Sequence, residues 1–188
     1  MTLSKEQIKL VENTIKNSLR NKFSTYNPEP AIMPFHTRLL GKDRLALYSF
    51  IHSLNTNFGT TIFEPVAVSL ASSRFKVAKL QMKSGTQIST DAQFEIQKIM
   101  DGLTAANKQP DKQKEVEIIR RVCQTGAMRT VKPTKVDVYL ESKDGEIYLF
   151  DIKTAKPNKG GFKEFKRTLL EWAATILYEN PKAKINTL

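Results

Sequence analysis

Two aspartates and a lysine lie close together in the last third of the chain. Asp137 sits within Lys135–Leu140 (KVDVYL), and Asp151-Ile152-Lys153 closes Glu146–Lys153 (EIYLFDIK). Both stretches are short and rich in Val, Ile, Tyr and Phe, with Ser142-Lys143-Asp144-Gly145 between them, a pattern that predicts a β-hairpin. Register decides what such a hairpin can do, because directly opposed residues share a face. A type I turn on Lys143-Asp144, with Gly145 left-handed as a G1 bulge, pairs Ser142 with Glu146. Asp137 then falls opposite Asp151, and Lys153 points to the same side. Val136, Val138 and Leu140 meet Ile152, Phe150 and Tyr148 on the other, wholly apolar face. A two-residue turn on Asp144-Gly145 would set Asp151 against Val138 and push acids into that face, where unpartnered charge is costly. The bulged register is the expected one. Tyr139, Ile147 and Leu149 make the acid-bearing side largely apolar as well, so helices are expected over both faces.

Opposed aspartates hold their Cβ atoms about 5 Å apart, close enough to share one hard cation. Mg2+ suits two carboxylates completed by water and phosphate oxygens. It would polarise a scissile phosphate and lower the pKa of a bound water, with Lys153 orienting that water or offsetting the developing charge. The plainer alternative is a solvated aspartate pair at a strand end with Lys153 as its salt bridge. A third carboxylate is sought on Lys112–Cys123, where Glu115 lies inside the broad face formed by Val116, Ile118, Ile119, Val122 and Cys123, and Glu117 lies outside it. An intrahelical ion pair from Glu115 to Lys112 or Lys114 would equally explain its place.

Elements that would carry these residues follow from periodicity. Ser4 and Gln7 have capping-box spacing before Ile8, Val11, Ile15 and Leu19, which predicts a helix over 5–22. Tyr26–Met33, with Pro28 and Pro30 and then Pro34, reads as an extended connection. A second helix begins near Asp43. Pro65 suits the first turn of a third, whose apolar set Val66, Leu70, Val77 and Leu80 extends it to about residue 82, with a strand over Phe75–Met82 as the alternative. Thr90 and Gln93 form a second capping-box pair ahead of Phe94, Ile96, Ile99 and Met100, and Lys112–Cys123 is the next helix. Gly160-Gly161 breaks the chain before a helix over 162–179 that stops at Asn180-Pro181, and Lys184–Leu188 reads as the start of a strand. The fold class is α/β, close to α+β: a mainly helical part over 1–107, then a core over 108–188 built on a mixed central sheet flanked by helices.

Composition bounds the rest. With 188 residues, 40% hydrophobic and 26% charged, the chain has the balance of one folded domain rather than a disordered segment. No apolar run approaches the roughly 20 residues of a membrane span. Lys5, Glu6 and Lys9 stand where a secretory signal would be apolar, so a cytoplasmic location is expected. A single cysteine, Cys123, with His36 and His52, is too little for a Cys/His zinc site, leaving carboxylates as the metal donors. The net charge of +11 favours a polyanionic partner. It is spread along the chain, apart from one dense window, Lys153, Lys156, Lys159, Lys163, Lys166 and Arg167 against Glu164 alone.

Asp137 followed by Asp151-Ile152-Lys153 resembles the PD-(D/E)XK nuclease signature, although Thr134-Lys135-Val136 precedes the first acid with no proline beside it. The longer segments PFHTRLLGKDR (34–44), NTNFGTTIFEP (55–65) and YLFDIKTAKPNKGGFKEFKRTLLEW (148–172) resemble type II restriction endonucleases of the TdeIII/MjaII family over nearly the whole chain. That resemblance implies cleavage of double-stranded DNA at GGNCC with Mg2+, a homodimer, and a cognate methyltransferase protecting host sites. It assigns Asp137 and Asp151 to metal ligation and Lys153 to water activation. It also implies a continuation beyond the strand at Lys184–Leu188, so that this chain is shortened at its C-terminus. Lys156, Lys159, Lys163, Lys166 and Arg167 then become a phosphate-contacting cluster. Arg38, Lys42 and Arg44 become candidates for phosphate or guanine contact, with a solvated helix end as the alternative. His36 and His52 read as packed or surface groups, Glu64 as a cap before Pro65 or a further acid, and Trp172 as core. Rival functions are another nuclease of the same fold, such as a junction resolvase or repair nuclease, and a noncatalytic DNA-binding module.

Overall fold

A computed structural model describes residues 3–27, 33–154 and 158–188, which divide into two units, Met1–Leu70 and Ala71–Leu188. The first unit is helical. Its α1 (Lys5–Thr25) opens on the expected capping box, with the Ser4 hydroxyl accepting from the Gln7 N–H and the Gln7 side chain accepting from the Ser4 N–H. The connection expected over Tyr26–Met33 falls partly on residues 28–32, outside the described residues. Pro34 does not extend that connection but occupies the first turn of a short helix, α2 (Pro34–Leu40), where its missing N–H costs nothing. Gly41, at φ +76°, turns the chain directly into α3 (Lys42–Phe58). A π-helical turn over Gly59–Phe63 leads without a break into α4 (Glu64–Ala71). Glu64 is therefore the first residue of α4 rather than a cap ahead of it, and it is buried inside a continuous helical run. Helices α1 and α3 meet through Tyr26 and Phe23 against Phe50 and through Lys22 to Ser53, and neither helix has a fully buried residue.

Helix α4 ends at Ala71, and the chain turns through 72–74 into β1 (Val77–Lys83) rather than running on as a helix to residue 82. Val77 and Leu80 fit either period. Pairing with β4, a partner more than fifty residues away, decides the matter in favour of the strand. After β2 (Gln87–Ser89), α5 (Thr90–Thr104) is capped by Ser89 and not by Thr90, because the Ser89 hydroxyl accepts the Ala92 N–H at 3.0 Å while Thr90 Oγ1 accepts from Ala127 N–H. Helix α6 (Lys112–Val122) and β3 (Met128–Thr130), which pairs with β2, precede the hairpin of β4 (Lys135–Glu141) and β5 (Ile147–Phe150). Helix α7 (Lys159–Glu179) includes Gly160-Gly161 instead of starting after them, since Asn158 caps it by accepting the Gly161 N–H at 2.8 Å. It ends at Asn180 as expected, and β6 (Ile185–Thr187) follows.

The main sheet has the order β1-β4-β5-β6, with β1, β4 and β5 antiparallel in turn and β6 parallel to β5. Helix α7 supplies the crossover that a parallel pair requires. Its Trp172, Ala173, Ala174 and Leu177 are at most 2% exposed and join Leu149, Ile185, Ile96 and Ile119 in one core. On the opposite face Val138 and Leu140 are also buried, and Phe75 meets Tyr148 edge-on. The hairpin is thus covered on both sides. The division at Leu70 falls earlier than residue 107 because β1, β2 and α5 are built into the sheet unit. No described helix is long and apolar enough to cross a membrane.

Candidate active site

The hairpin forms in the bulged register. Val138 pairs with Phe150, Tyr139 with Leu149, Leu140 with Tyr148 and Glu141 with Ile147. Ser142 N–H donates to Glu146 O at 2.8 Å, and Gly145 stands at φ +80°. The ladder stops at Phe150, short of the expected strand end at Lys153, so Asp137 and Asp151 lie one position past the last pair, Val138–Phe150. Two bonds hold that end in place. Asp151 N–H donates to Leu188 O at 2.9 Å, continuing the β6 pairing, and Asp137 Oδ2 accepts the Ile152 N–H at 2.8 Å. Asp137 is therefore bound to the peptide immediately after Asp151.

Asp151 is 12% exposed at its side chain and pairs with the Lys153 ammonium. Lys153 Nζ also lies 4.4 Å from the centre of the Phe165 ring on α7, a cation–π contact that steers the lysine across the α7 side of the hairpin. Across the other strand boundary, Gln81 Nε2 of β1 is 3.5 Å from Asp137 Oδ1. Sequence reading gave no place to Gln81, because a helix over 64–82 has no register with β4. Nor did it anticipate Phe165 beneath Lys153, although both are legible once α7 is known to pack on this face.

Glu115 lies elsewhere in the network. Its Oε1 accepts the Asp111 N–H at 3.3 Å, and its other oxygen pairs with Lys166 of α7. The partner is on another helix, not Lys112 or Lys114 within its own. Among the described residues no group of three or more His, Cys, Asp or Glu side chains is placed to hold a metal ion, so Glu115 is not gathered with Asp137 and Asp151. Burial beside the Lys166 charge holds the Lys112 ammonium below its ordinary pKa, with desolvation the larger cause.

Of the basic residues singled out, Lys163 is exposed, Lys166 is committed to Glu115, and Arg167 donates to Gln97 Oε1 at 2.7 Å. Lys156 lies outside the described residues, and Lys159 is the first residue of α7. Arg38, Lys42 and Arg44 are exposed around the Gly41 turn of the helical unit. His36 packs edge-on to Phe35 and His52 against Tyr48, both at the surface. Trp172 is core, its indole N–H donating to Thr134 Oγ1 at 2.6 Å.

The donor set fits a hard cation. Two carboxylates, Asp137 and Asp151, lie one position past the last β4–β5 pair, the lone cysteine is buried with its Sγ 3.1 Å from Arg120 O, and neither histidine belongs to the sheet unit. A pair of carboxylates leaves most positions to water and substrate oxygens, as Mg2+ prefers.

The sequence model of the HinfI type II restriction endonucleases matches residues 3–188. The chain belongs to that family. It is 26% identical over 204 aligned positions to the type II restriction enzyme MjaII of Methanocaldococcus jannaschii, an alignment covering 98% of this chain and 53% of that enzyme. The restriction enzymes HgiEI and HgiBI of Herpetosiphon aurantiacus are 28% and 26% identical, over 74% and 78% of the chain and 51% and 54% of their own lengths. The chain thus spans about half the length of the curated relatives it matches. No solved structure matches it. Type II restriction endonucleases generally use divalent metal ions.

Proposed function

We propose that this protein is a Mg2+-dependent type II restriction endonuclease of the PD-(D/E)XK kind that hydrolyses double-stranded DNA at GGNCC. The observation that supports the reading is the bond from the Ile152 N–H to Asp137 Oδ2 at 2.8 Å beside the Asp151–Lys153 ion pair, in a chain matched along its length by a restriction-endonuclease family. Asp137 and Asp151 would hold the cation. When bound, it supplies Lewis acidity to the scissile phosphate and lowers the pKa of a coordinated water. Lys153, kept near Asp151 by its ion pair and by Phe165, orients the attacking water and offsets charge developing on the phosphate. Lys163, with Lys156, Lys159 and Arg167, follows the hairpin closely in sequence and supplies phosphate contacts, as do Arg38, Lys42 and Arg44 from the helical unit. An interrupted palindrome calls for a two-fold symmetric homodimer, and a cognate methyltransferase would protect the host's own sites.

The deciding assay incubates plasmid DNA with the protein in Mg2+ or EDTA, beside Asp151→Ala. Discrete fragments ending at GGNCC, lost in EDTA and in the variant, are expected. Nicking that follows DNA structure rather than sequence would point instead to a resolvase-like or repair nuclease, and DNA retention without any cleavage would refute both enzymatic readings.

A further inference from the structure

Gln81 occupies the position of β1 across from Asp137, between the pairs Leu80–Val138 and Met82–Val136. Asp137 and Asp151 each lie one position past the last β4–β5 pair, Val138–Phe150, so an amide and two carboxylates come to the same end of the hairpin. Gln81 has φ +49°, far from the extended values of a strand interior and in the left-handed region that a glutamine rarely adopts. Such outliers persist only where the surroundings enforce them, and they concentrate at functional sites. Intact pairs on both sides show that the strand has not slipped. The distortion is confined to the residue facing Asp137.

We infer that Gln81 is a positioning residue, which fixes the Asp137 carboxylate for cation binding from the side opposite Ile152. The inference rests on the reading of Asp137 and Asp151 as the cation site. One oxygen of Asp137 is held by the Ile152 N–H, and the other faces Gln81 Nε2 at 3.5 Å. With the Ile152 N–H on one oxygen and the Gln81 amide beside the other, the plane of the carboxylate is set. The residue type matters. A lysine here would compete with the cation, and a glutamate would add a third negative charge, whereas an amide donates without altering the charge. Outer donors of this kind orient metal-ligating carboxylates and typically change metal affinity by about 10–100-fold when removed.

The test is calorimetric titration of Mg2+ into the full chain and its Asp137→Asn, Gln81→Gly, Gln81→Met and Gln81→Asn variants, with the metal midpoint and kcat of cleavage measured in parallel. Gln81→Gly is expected to fold, since glycine adopts positive φ freely, and to bind Mg2+ about tenfold more weakly. Gln81→Met keeps the side-chain length without the amide and should show the same loss. Gln81→Asn retains an amide and tolerates left-handed backbone, so it should recover part of the affinity. In all three, kcat at saturating Mg2+ should move less than the metal midpoint. Wild-type affinity in Gln81→Gly, or in Gln81→Met should the glycine variant not fold, would overturn the role of Gln81 while a loss in Asp137→Asn left the cation site standing. Equal titrations of wild type and Asp137→Asn would overturn the site itself.

Discussion

Asp137 accepts the backbone N–H of Ile152 through Oδ2 at 2.8 Å, which ties the first aspartate of the hairpin to the peptide following the second. The bond gives Asp137 a structural role, which substitution can separate from its proposed role in holding a cation. Asparagine keeps an oxygen acceptor for the Ile152 N–H and removes the charge. Asp137→Asn should therefore melt within a few degrees of wild type yet lose cleavage on the order of 10³-fold, the scale of losing an electrostatic contact to the transition state. Asp137→Ala should lose cleavage equally and also destabilise by about 1–3 kcal/mol, because a partly buried N–H is left unpaired. Thermal melts beside plasmid cleavage check both. Unequal cleavage by the two variants would mean that the bond, not the charge, is what the reaction needs.

Lys153 pairs with Asp151 and lies over Phe165, so it stabilises a carboxylate that a cation would otherwise claim. Lys153→Met keeps the stem on the ring and removes the ammonium. Cleavage should fall by roughly 10²–10⁴-fold, as for loss of a positioned proton-transfer or charge-stabilising group. Mg2+ should bind no more weakly, and somewhat more tightly, because the competing positive charge is gone. Weaker Mg2+ binding in calorimetry would contradict this division of labour.

How far these relationships could be foreseen differs between the two acids and their neighbours. The turn Lys143-Asp144-Gly145 and the alternation of Val136, Val138 and Leu140 against Tyr148 and Phe150 specify one register, since a slip by one residue would bury an aspartate. The hairpin register was therefore legible from the residues. The β1 strand was not. Val77 and Leu80 satisfy helical and extended spacing alike, and only pairing with β4, far away in sequence, selects the strand and brings Gln81 to Asp137. Glu115 shows the same limit: helical periodicity placed it on the inner face of α6 and offered a metal or Lys112 or Lys114 as its partner, but could not reach Lys166 on α7. Ser89 capped α5 in place of Thr90 because Thr90 Oγ1 found a tertiary donor in Ala127.

Glu115 and Lys166 join α6 to α7 through an ion pair whose acid is only 7% exposed at its side chain. Removing one partner of a buried pair leaves the other charge desolvated, at a cost of about 3–5 kcal/mol. Lys166 is less deeply buried, so Glu115→Ala should cost about 3 kcal/mol by denaturant unfolding, at the low end of that range. Glu115→Ala/Lys166→Met should recover part of the loss. Protein that remains folded should keep most of its cleavage. Abolished cleavage with an unchanged unfolding midpoint would instead assign Glu115 to the chemistry.

Glu171 lies half-buried on α7, and burial raises its carboxyl above the usual pKa, offset in part by the Arg167 charge. A raised folded-state pKa means that the native chain holds this proton more tightly than the unfolded one. Stability from the protonated form is then complete below the unfolded pKa and is lost as pH rises through the folded value. Glutamine mimics the protonated acid at every pH. Glu171→Gln should therefore raise the melting temperature at pH 7, by about 1–2 °C given how much of the side chain remains solvated. Below about pH 4, where glutamate is protonated in both states, the gain should vanish. A variant that is less stable than wild type at pH 7 would show that the ionised carboxylate is held by Arg167 strongly enough to outweigh its burial.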